Sequence, residues 1–278
     1  MGNNLNSDKY RYKLPIHAYL PSKELAWIVG YILGDGCLDK YHKNGYYTIS
    51  AKTKDDDLKD MFIKTFEAWS GFKPYADWTA GGKHKFPTGI YKTKGVWRVR
   101  ICFKKAYIFL KQFKDNPLYC LEFFPKCYWK YILKGLWDAE GSIFSVNKNT
   151  VRITFYNTDE AILELYKRIC KSLNFDYTVT SNEIKLNHME DVIRFVDDIG
   201  VTIKRKLTDD VKNRIEYAKK IKNAYDKIME LKINGYSRNE VYKKIREIPY
   251  DTLTKWYYGY RIPKIFSSNY TLHAYGKK

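Results

Sequence analysis

The sequence predicts a mixed α/β (α+β) chain of two related halves followed by a small all-α unit, and three observations predict it. Gly30, Gly34, Asp35 and Gly36 recur as Gly135, Ala139, Glu140 and Gly141, each 105 positions later, so the chain carries an internal repeat. After each copy, helix-period and strand-period segments alternate in the same order. From Lys204 onward the strand pattern stops and only helical segments remain. The chain therefore divides into an N-terminal extension (1–20), a first repeat (21–118), a second repeat (119–203) and a basic helical region (204–278).

The elements follow in chain order. A helix starting after Pro21-Ser22 holds Leu25, Ala26, Ile28, Val29, Ile32 and Leu33, is apolar nearly all round, and is expected to be buried. Residues 47–55 read as a strand running into a helix cap at Asp55, and 151–159 repeat that pattern at an offset of 104, one residue having been lost between. Amphipathic helices are expected over 55–69 and 159–173. The strand 96–103 precedes a helix over 105–113, as 183–187 precedes one over 189–199. Only the first copy holds the Gly-rich, basic stretch 80–89, which reads as an extended hairpin tip, and 117–125 marks the join. Beyond Lys204 a long helix over 212–232 is stopped by Asn234-Gly235, Ser237 caps a second over 238–247, Pro249 breaks it, and a third covers 250–258.

Composition narrows the partners. Lys plus Arg number 50 against 31 Asp plus Glu, a net charge of +19 that raises the local concentration of a polyanion and makes nucleic acid the default partner. A low-GC genome would also raise Lys, Tyr, Ile and Asn together, so charge alone does not decide. From Lys204 onward, 19 basic residues face 8 acidic ones, which concentrates the excess in the last region. The five scattered cysteines form no C-x-x-C pair and suit a reducing cytoplasm. No signal peptide and no membrane-spanning stretch is read, and a soluble, cytoplasmic protein is expected.

The repeated glycines point to chemistry. Gly30 and Gly34 lie four apart on one helix face, as do Gly135 and Ala139, and small residues at that spacing let two helix backbones touch. The next residues, Asp35 and Glu140, would then sit side by side at helix C-termini, where the macrodipole disfavours negative charge. Two such carboxylates make sense around a cation. Mg2+, for which Mn2+ can substitute, takes oxygen ligands, keeps waters and binds through one or two carboxylates plus substrate phosphate. Phosphodiester hydrolysis is the chemistry that follows. The competing reading is a pair of ordinary buried helices with an acid and a glycine in each exit turn.

These residues resemble the motifs of the LAGLIDADG homing endonucleases, in the single-chain form with two motif copies, and the resemblance covers roughly 21–203. It implies two pseudo-two-fold related halves, antiparallel sheets forming a saddle on the DNA major groove, and cleavage of both strands to leave short 3′ overhangs. By motif position the metal-binding acids are Asp35 and Glu140, and the ligating carbonyls fall on Gly34 and Ala139. A supporting lysine from a strand end falls on Lys52, the second-copy position being Tyr156 or, one residue on, Asn157. Lys104, Lys105, Asn187 and His188 are weaker candidates.

For DNA contact the strands offer Tyr46, Thr48, Ser50, Trp97, Arg98 and Arg100 in the first copy and Arg152, Thr154 and Lys185 in the second. Alternation puts Arg98 and Arg100 on one face, with Trp97, Val99 and Ile101 on the other. The tail resembles a helix-turn-helix module whose last helix presents Asp251, Thr252 and Lys255, its alternative being a helical hairpin packed on the core. A non-cleaving DNA-binding regulator and an RNA maturase, with host-intron RNA as partner, stand as competing functions on the same scaffold. A monomer with internal pseudo-symmetry is expected. Intein ends are not matched, since the chain begins Met1-Gly2 and ends in Lys277-Lys278.

Overall fold

A computed structural model describes residues 13–41, 46–86, 89–147 and 150–264. Ser22 starts the first helix by accepting a hydrogen bond from the Leu25 N–H at 3.1 Å. Helix α1 (Lys23–Leu33) buries every residue from Leu25 to Leu33, as its all-round apolar character requires. It is followed by β1 (Cys37–Tyr41), β2 (Tyr46–Thr53), α2 (Asp56–Ser70), β3 (Tyr75–Thr79), β4 (Lys83–Phe86), β5 (Gly89–Lys92), β6 (Val96–Cys102) and α3 (Lys104–Asp115). A short α4 (Cys120–Phe123) lies in the join. The order then recurs in α5 (Lys126–Glu140), β7 (Gly141–Asn147), β8 (Thr150–Tyr156), α6 (Glu160–Ser172), β9 (Thr178–Thr180), β10 (Glu183–Leu186) and α7 (Met189–Arg194), which runs on as a π-type turn, Phe195–Ile199.

The strands form two four-stranded antiparallel sheets of matching order, β1-β2-β6-β3 and β7-β8-β10-β9. The fold is thus mixed α+β, with helices on one face of each sheet. Pairing explains the change of offset along the repeat. Cys37 faces Ser50 as Ser142 faces Thr154, so the spacing falls from 105 to 104 across the β-hairpin, and a register shift between Ser145 and Asn147 marks the place. Past it, Arg100 opposes Ser50 as Lys185 opposes Thr154, and the offset falls to 185 − 100 = 85 because the described residues of the second half hold no counterpart of the β4–β5 ribbon.

The hairpin read at 80–89 is present as the antiparallel strands β4 and β5, which carry it on to Lys92. Several expectations need correction. Edge strands β3 and β9 escaped the reading; β9 is three residues long with every residue exposed, so it carries no apolar alternation. Asp55 does not cap α2 with its side chain, whereas Asp159 caps α6 by accepting from Ala161 and Ile162 N–H at 2.8 and 3.2 Å. Asp55 is instead paired with Arg205.

The last elements are α8 (Asp209–Ile233), α9 (Arg238–Lys244) and α10 (Tyr250–Tyr257). Gly235 adopts φ +82° past α8, a backbone that favours glycine. Ser237 and Glu240 form a capping box at the start of α9. That helix ends at Lys244, three residues short of Glu247, because Ile245 and Ile248 turn inward with Val241. They join Tyr225, Ile228, Leu253 and Trp256 in a hydrophobic core separate from that of the two sheets. Among the described residues no helix is long and apolar enough to cross a membrane.

Candidate active site

The seam between α1 and α5 positions the site. A side-chain carbon on Gly30 would lie 2.2 Å from the Ile132 carbonyl oxygen, and one on Gly135 would lie 2.2 Å from that of Trp27. The two backbones therefore touch where only glycine fits. At the next turn a carbon on Gly34 would meet Ala139 Cβ at 2.5 Å, so the helices stay together to their ends. Asp35 follows the C-cap Gly34, and Glu140 is the last residue of α5. Both line one open cleft of about 640 Å3, with Lys52, Asp55, Arg205 and Lys206 on its walls.

The seam also carries a polar tie. Asp138, 1% exposed, accepts from the Trp27 indole N–H at 2.8 Å and from the Thr202 hydroxyl at 2.6 Å, with Lys134 Nζ at 3.3 Å. A buried carboxylate is tolerable only with such partners. This places the chain after α7 against the end of α5.

Two lysines that the sequence reading missed sit at the ends of the two motif helices. Lys114 Nζ donates to the carbonyls of Ile32 and Leu33 at 2.7 and 3.1 Å. Lys206 Nζ donates to Gly141 O at 2.6 Å and Asp138 O at 3.4 Å, and lies over the Trp137 ring. Each offsets the negative end of a helix dipole, an effect typically worth about 0.3–1 kcal/mol. Lys114 lies in the last turn of α3, and Lys206 in a 3-10 turn (Lys204–Lys206) past α7. Their spacing is 92, not 104 or 105, because the connections before them differ in length, so no repeat register could have paired them.

Electrostatics ties these groups together. Asp35 reaches solvent at the cleft mouth, yet desolvation by the surrounding protein raises it above the ordinary carboxylate value, while Lys206 and Lys114 pull it back. Glu140 is raised by burial first and then by Asp35, with the same two lysines opposing. Burial in turn lowers both Lys114 and Lys206 below the ordinary lysine value. The donor set is carboxylate and carbonyl oxygen. No group of three or more His, Cys, Asp or Glu suited to a metal occurs among the described residues, so a cation here would complete its shell with water and phosphate, which suits Mg2+ or Mn2+.

Other candidates fall in different places. Lys52 is exposed on β2 and lines both this cleft and the groove of the first sheet. Tyr156 is 53% exposed on β8, and Asn157 spends its side-chain oxygen on the Asp159 N–H at 2.8 Å. Lys104 Nζ lies over the Tyr47 ring, while Asn187 and His188 line a separate cleft against α8 and α10.

The groove face of the first sheet carries Thr48, Ser50, Arg98 and Arg100, as alternation anticipates, with Val99 buried on the other face. Thr48 and Ser50 form its floor at 8% exposure each, and Arg100 is 3.6 Å from Asp77 and lies over Tyr75. In the second sheet Arg152 Nε donates to Asn187 at 2.7 Å, Lys185 pairs with Glu183 at 2.9 Å, and Thr154 is buried. Thr252 is half-buried and Lys255 exposed on α10.

Residues 130–245 match a LAGLIDADG-like domain, a span from α5 through the second sheet to the end of α9. The uncharacterized protein MJ0398 of Methanocaldococcus jannaschii is 29% identical over 160 residues, 57% of this chain and 52% of its own. The chain thus spans about half the length of that relative. A mesophilic variant of the homing endonuclease I-DmoI aligns over 64% of this chain and 95% of its own, with TM-score 0.44 and 22% identity. The homing endonuclease I-WcaI bound to its DNA recognition sequence aligns over 77% and 94%, with TM-score 0.49 and 14% identity.

Proposed function

We propose that this chain is a site-specific double-strand DNA endonuclease of the single-chain, two-motif LAGLIDADG kind, working as a monomer with divalent metal and leaving short 3′ overhangs. The observation that carries the reading is the meeting of Asp35 and Glu140 in one cleft where α1 and α5 touch, with a half-buried lysine at each helix end. A pair of carboxylates raised by burial, at dipole ends that oppose them, lowers stability and is retained for chemistry.

Asp35 and Glu140 would hold Mg2+ or Mn2+, with the Gly34 and Ala139 carbonyls as further ligands, and the cation would acidify the attacking water and neutralise charge on the scissile phosphate. The chain's own groups do the rest. Lys206 lines the cleft and Lys114 closes the end of α1; both, lowered by burial, would hold a proton at Nζ and offset the charge that builds on the phosphate oxygens. Lys52, on the cleft wall, is placed to grip a backbone phosphate next to the one that is cut. Arg98 and Arg100 in one groove, and Arg152 and Lys185 in the other, meet base edges or phosphates, with Thr48 and Ser50 behind them. Helices α9 and α10 act as a helix-turn-helix reader through Thr252 and Lys255.

Incubation with a randomised duplex library and Mg2+, followed by sequencing of the ends, tests this. Expected are discrete, staggered ends in both strands that vanish on chelation and with Asp35→Asn or Glu140→Gln. Cutting at a normal rate by both variants overturns the site, and tight binding without cutting favours a non-cleaving regulator.

A further inference from the structure

We propose that the C-terminal helices bind the sugar-phosphate backbone of the same duplex on one side only, beyond the half-site covered by the β7-β8-β10-β9 sheet, making the footprint lopsided. The inference rests on the reading above that the chain binds duplex DNA.

Helix α8 belongs structurally to the second half. Ser145 on β7 is hydrogen-bonded to Asp210, and Lys219 pairs with Asp197 at 2.8 Å. From Thr208, which lines the acidic cleft, α8 runs outward; at about 1.5 Å per residue, Ala218 and Ile221 lie roughly 15–20 Å along it. There α8, α10 and the end of β10 enclose a second cleft of about 450 Å3. Lys255, Arg261 and Lys264, all exposed, line it with Asn187 and His188, and none of its lining residues is acidic. Three exposed cations lining one cleft with no carboxylate in its lining suit phosphate rather than a protein partner of mixed charge.

Asn187 joins this cleft to the second sheet's groove. Its side chain accepts from Arg152 Nε at 2.7 Å and donates to Thr178 at 2.9 Å. Arg152 and Thr178 share the groove face with Lys185, because Lys185 pairs with Thr154 on one side and Thr178 on the other. A duplex lying along that groove therefore runs on, past Asn187, to Lys255 and Arg261. The first half ends in no comparable helical unit, since the chain passes from α3 through the join directly into α5.

The test is hydroxyl-radical footprinting of the full chain on a duplex selected for binding, comparing Lys255→Ala/Arg261→Ala with Arg152→Ala and Arg98→Ala. Protection should extend further on one flank. The double variant should lose only that outer protection, outboard of the region weakened by Arg152→Ala and opposite to that weakened by Arg98→Ala. Its log–log salt dependence should be shallower by roughly two, one for each phosphate contact removed. A symmetric footprint, or an unchanged flank and salt slope in the double variant, overturns the proposal. Selection for binding keeps it separate from cleavage: a chain that binds but does not cut fails only the nuclease reading, and one that binds no duplex fails both.

Discussion

Trp27 of α1 donates its indole N–H to Asp138 of α5, 2.8 Å across the seam where the two motif helices touch. The repeat gives no symmetric copy of this bond, because Ile132 stands at the position equivalent to Trp27 and Leu33 at that equivalent to Asp138. Asp138→Ala leaves the Trp27 indole N–H and the Thr202 hydroxyl without their acceptor and removes the carboxylate beside Lys134. Breaking a buried charge network of this kind costs about 3–5 kcal/mol, and urea unfolding should show it, with Asp138→Asn milder.

Gly135→Ala should be more disruptive than its size suggests. The added methyl meets backbone, 2.2 Å from Trp27 O and 2.7 Å from Tyr31 N, and backbone cannot swing aside. Overpacking costs about 1–3 kcal/mol or more. Separation of Asp35 from Glu140 should also weaken Mn2+ binding by calorimetry, which Ala139→Gly, facing Gly34, should affect far less.

Neutralising the acids should stabilise the fold while abolishing cutting. Both carboxylates have native values raised above their ordinary 3.8 and 4.5, so the native state binds protons more readily than the unfolded chain. Their penalty is present at neutral pH and fades as pH falls through the raised native values toward the ordinary ones. Asp35→Asn and Glu140→Gln should therefore melt higher than the parent at pH 7, with the gain disappearing near pH 4. Metal binding by the parent should weaken at a higher pH than ordinary carboxylates would require.

Lys114→Met and Lys206→Met should each slow cutting by about 10²-fold or more, the lower end for a group that handles a proton in the transition state. Since each lysine serves a different helix end, each variant should accumulate duplex nicked preferentially in one strand, and the two should favour opposite strands on strand-resolved gels.

A further pH dependence comes from Asp191, 4% exposed, which burial raises from an ordinary 3.8 to about 6 despite Arg194 at 3.4 Å. Native protons exceed unfolded ones between those values, so its penalty is full above pH 6 and relieved as pH falls toward 4. Asp191→Asn should gain stability over the parent above pH 6 and none near pH 4, as chemical denaturation across that range would show.

Much of the architecture was legible because it is written in short-range periodicity. The apolar helix after Ser22, the glycines four apart and the strand-to-helix passages at 47–55 and 151–159 all express local rules, and repetition doubled the signal. Edge strand β9, three exposed residues long, has no periodicity to read. The side chain of Asp55, expected to cap α2, pairs with Arg205, 150 residues away, and no local rule anticipates such a partner.

By itself the sequence determined that two small-residue helix faces exist, that Asp35 and Glu140 follow them, and that the basic excess lies in the helical tail. Only the tertiary structure decided that Lys114 and Lys206 close the two helix ends, that Asp138 binds Trp27 and Thr202, and that α8 is tied to the second half through Asp210 and Lys219. The reason is physical: periodicity and capping act within a few residues, while a buried lysine or carboxylate is placed by partners that folding brings from 60 to more than 110 positions away.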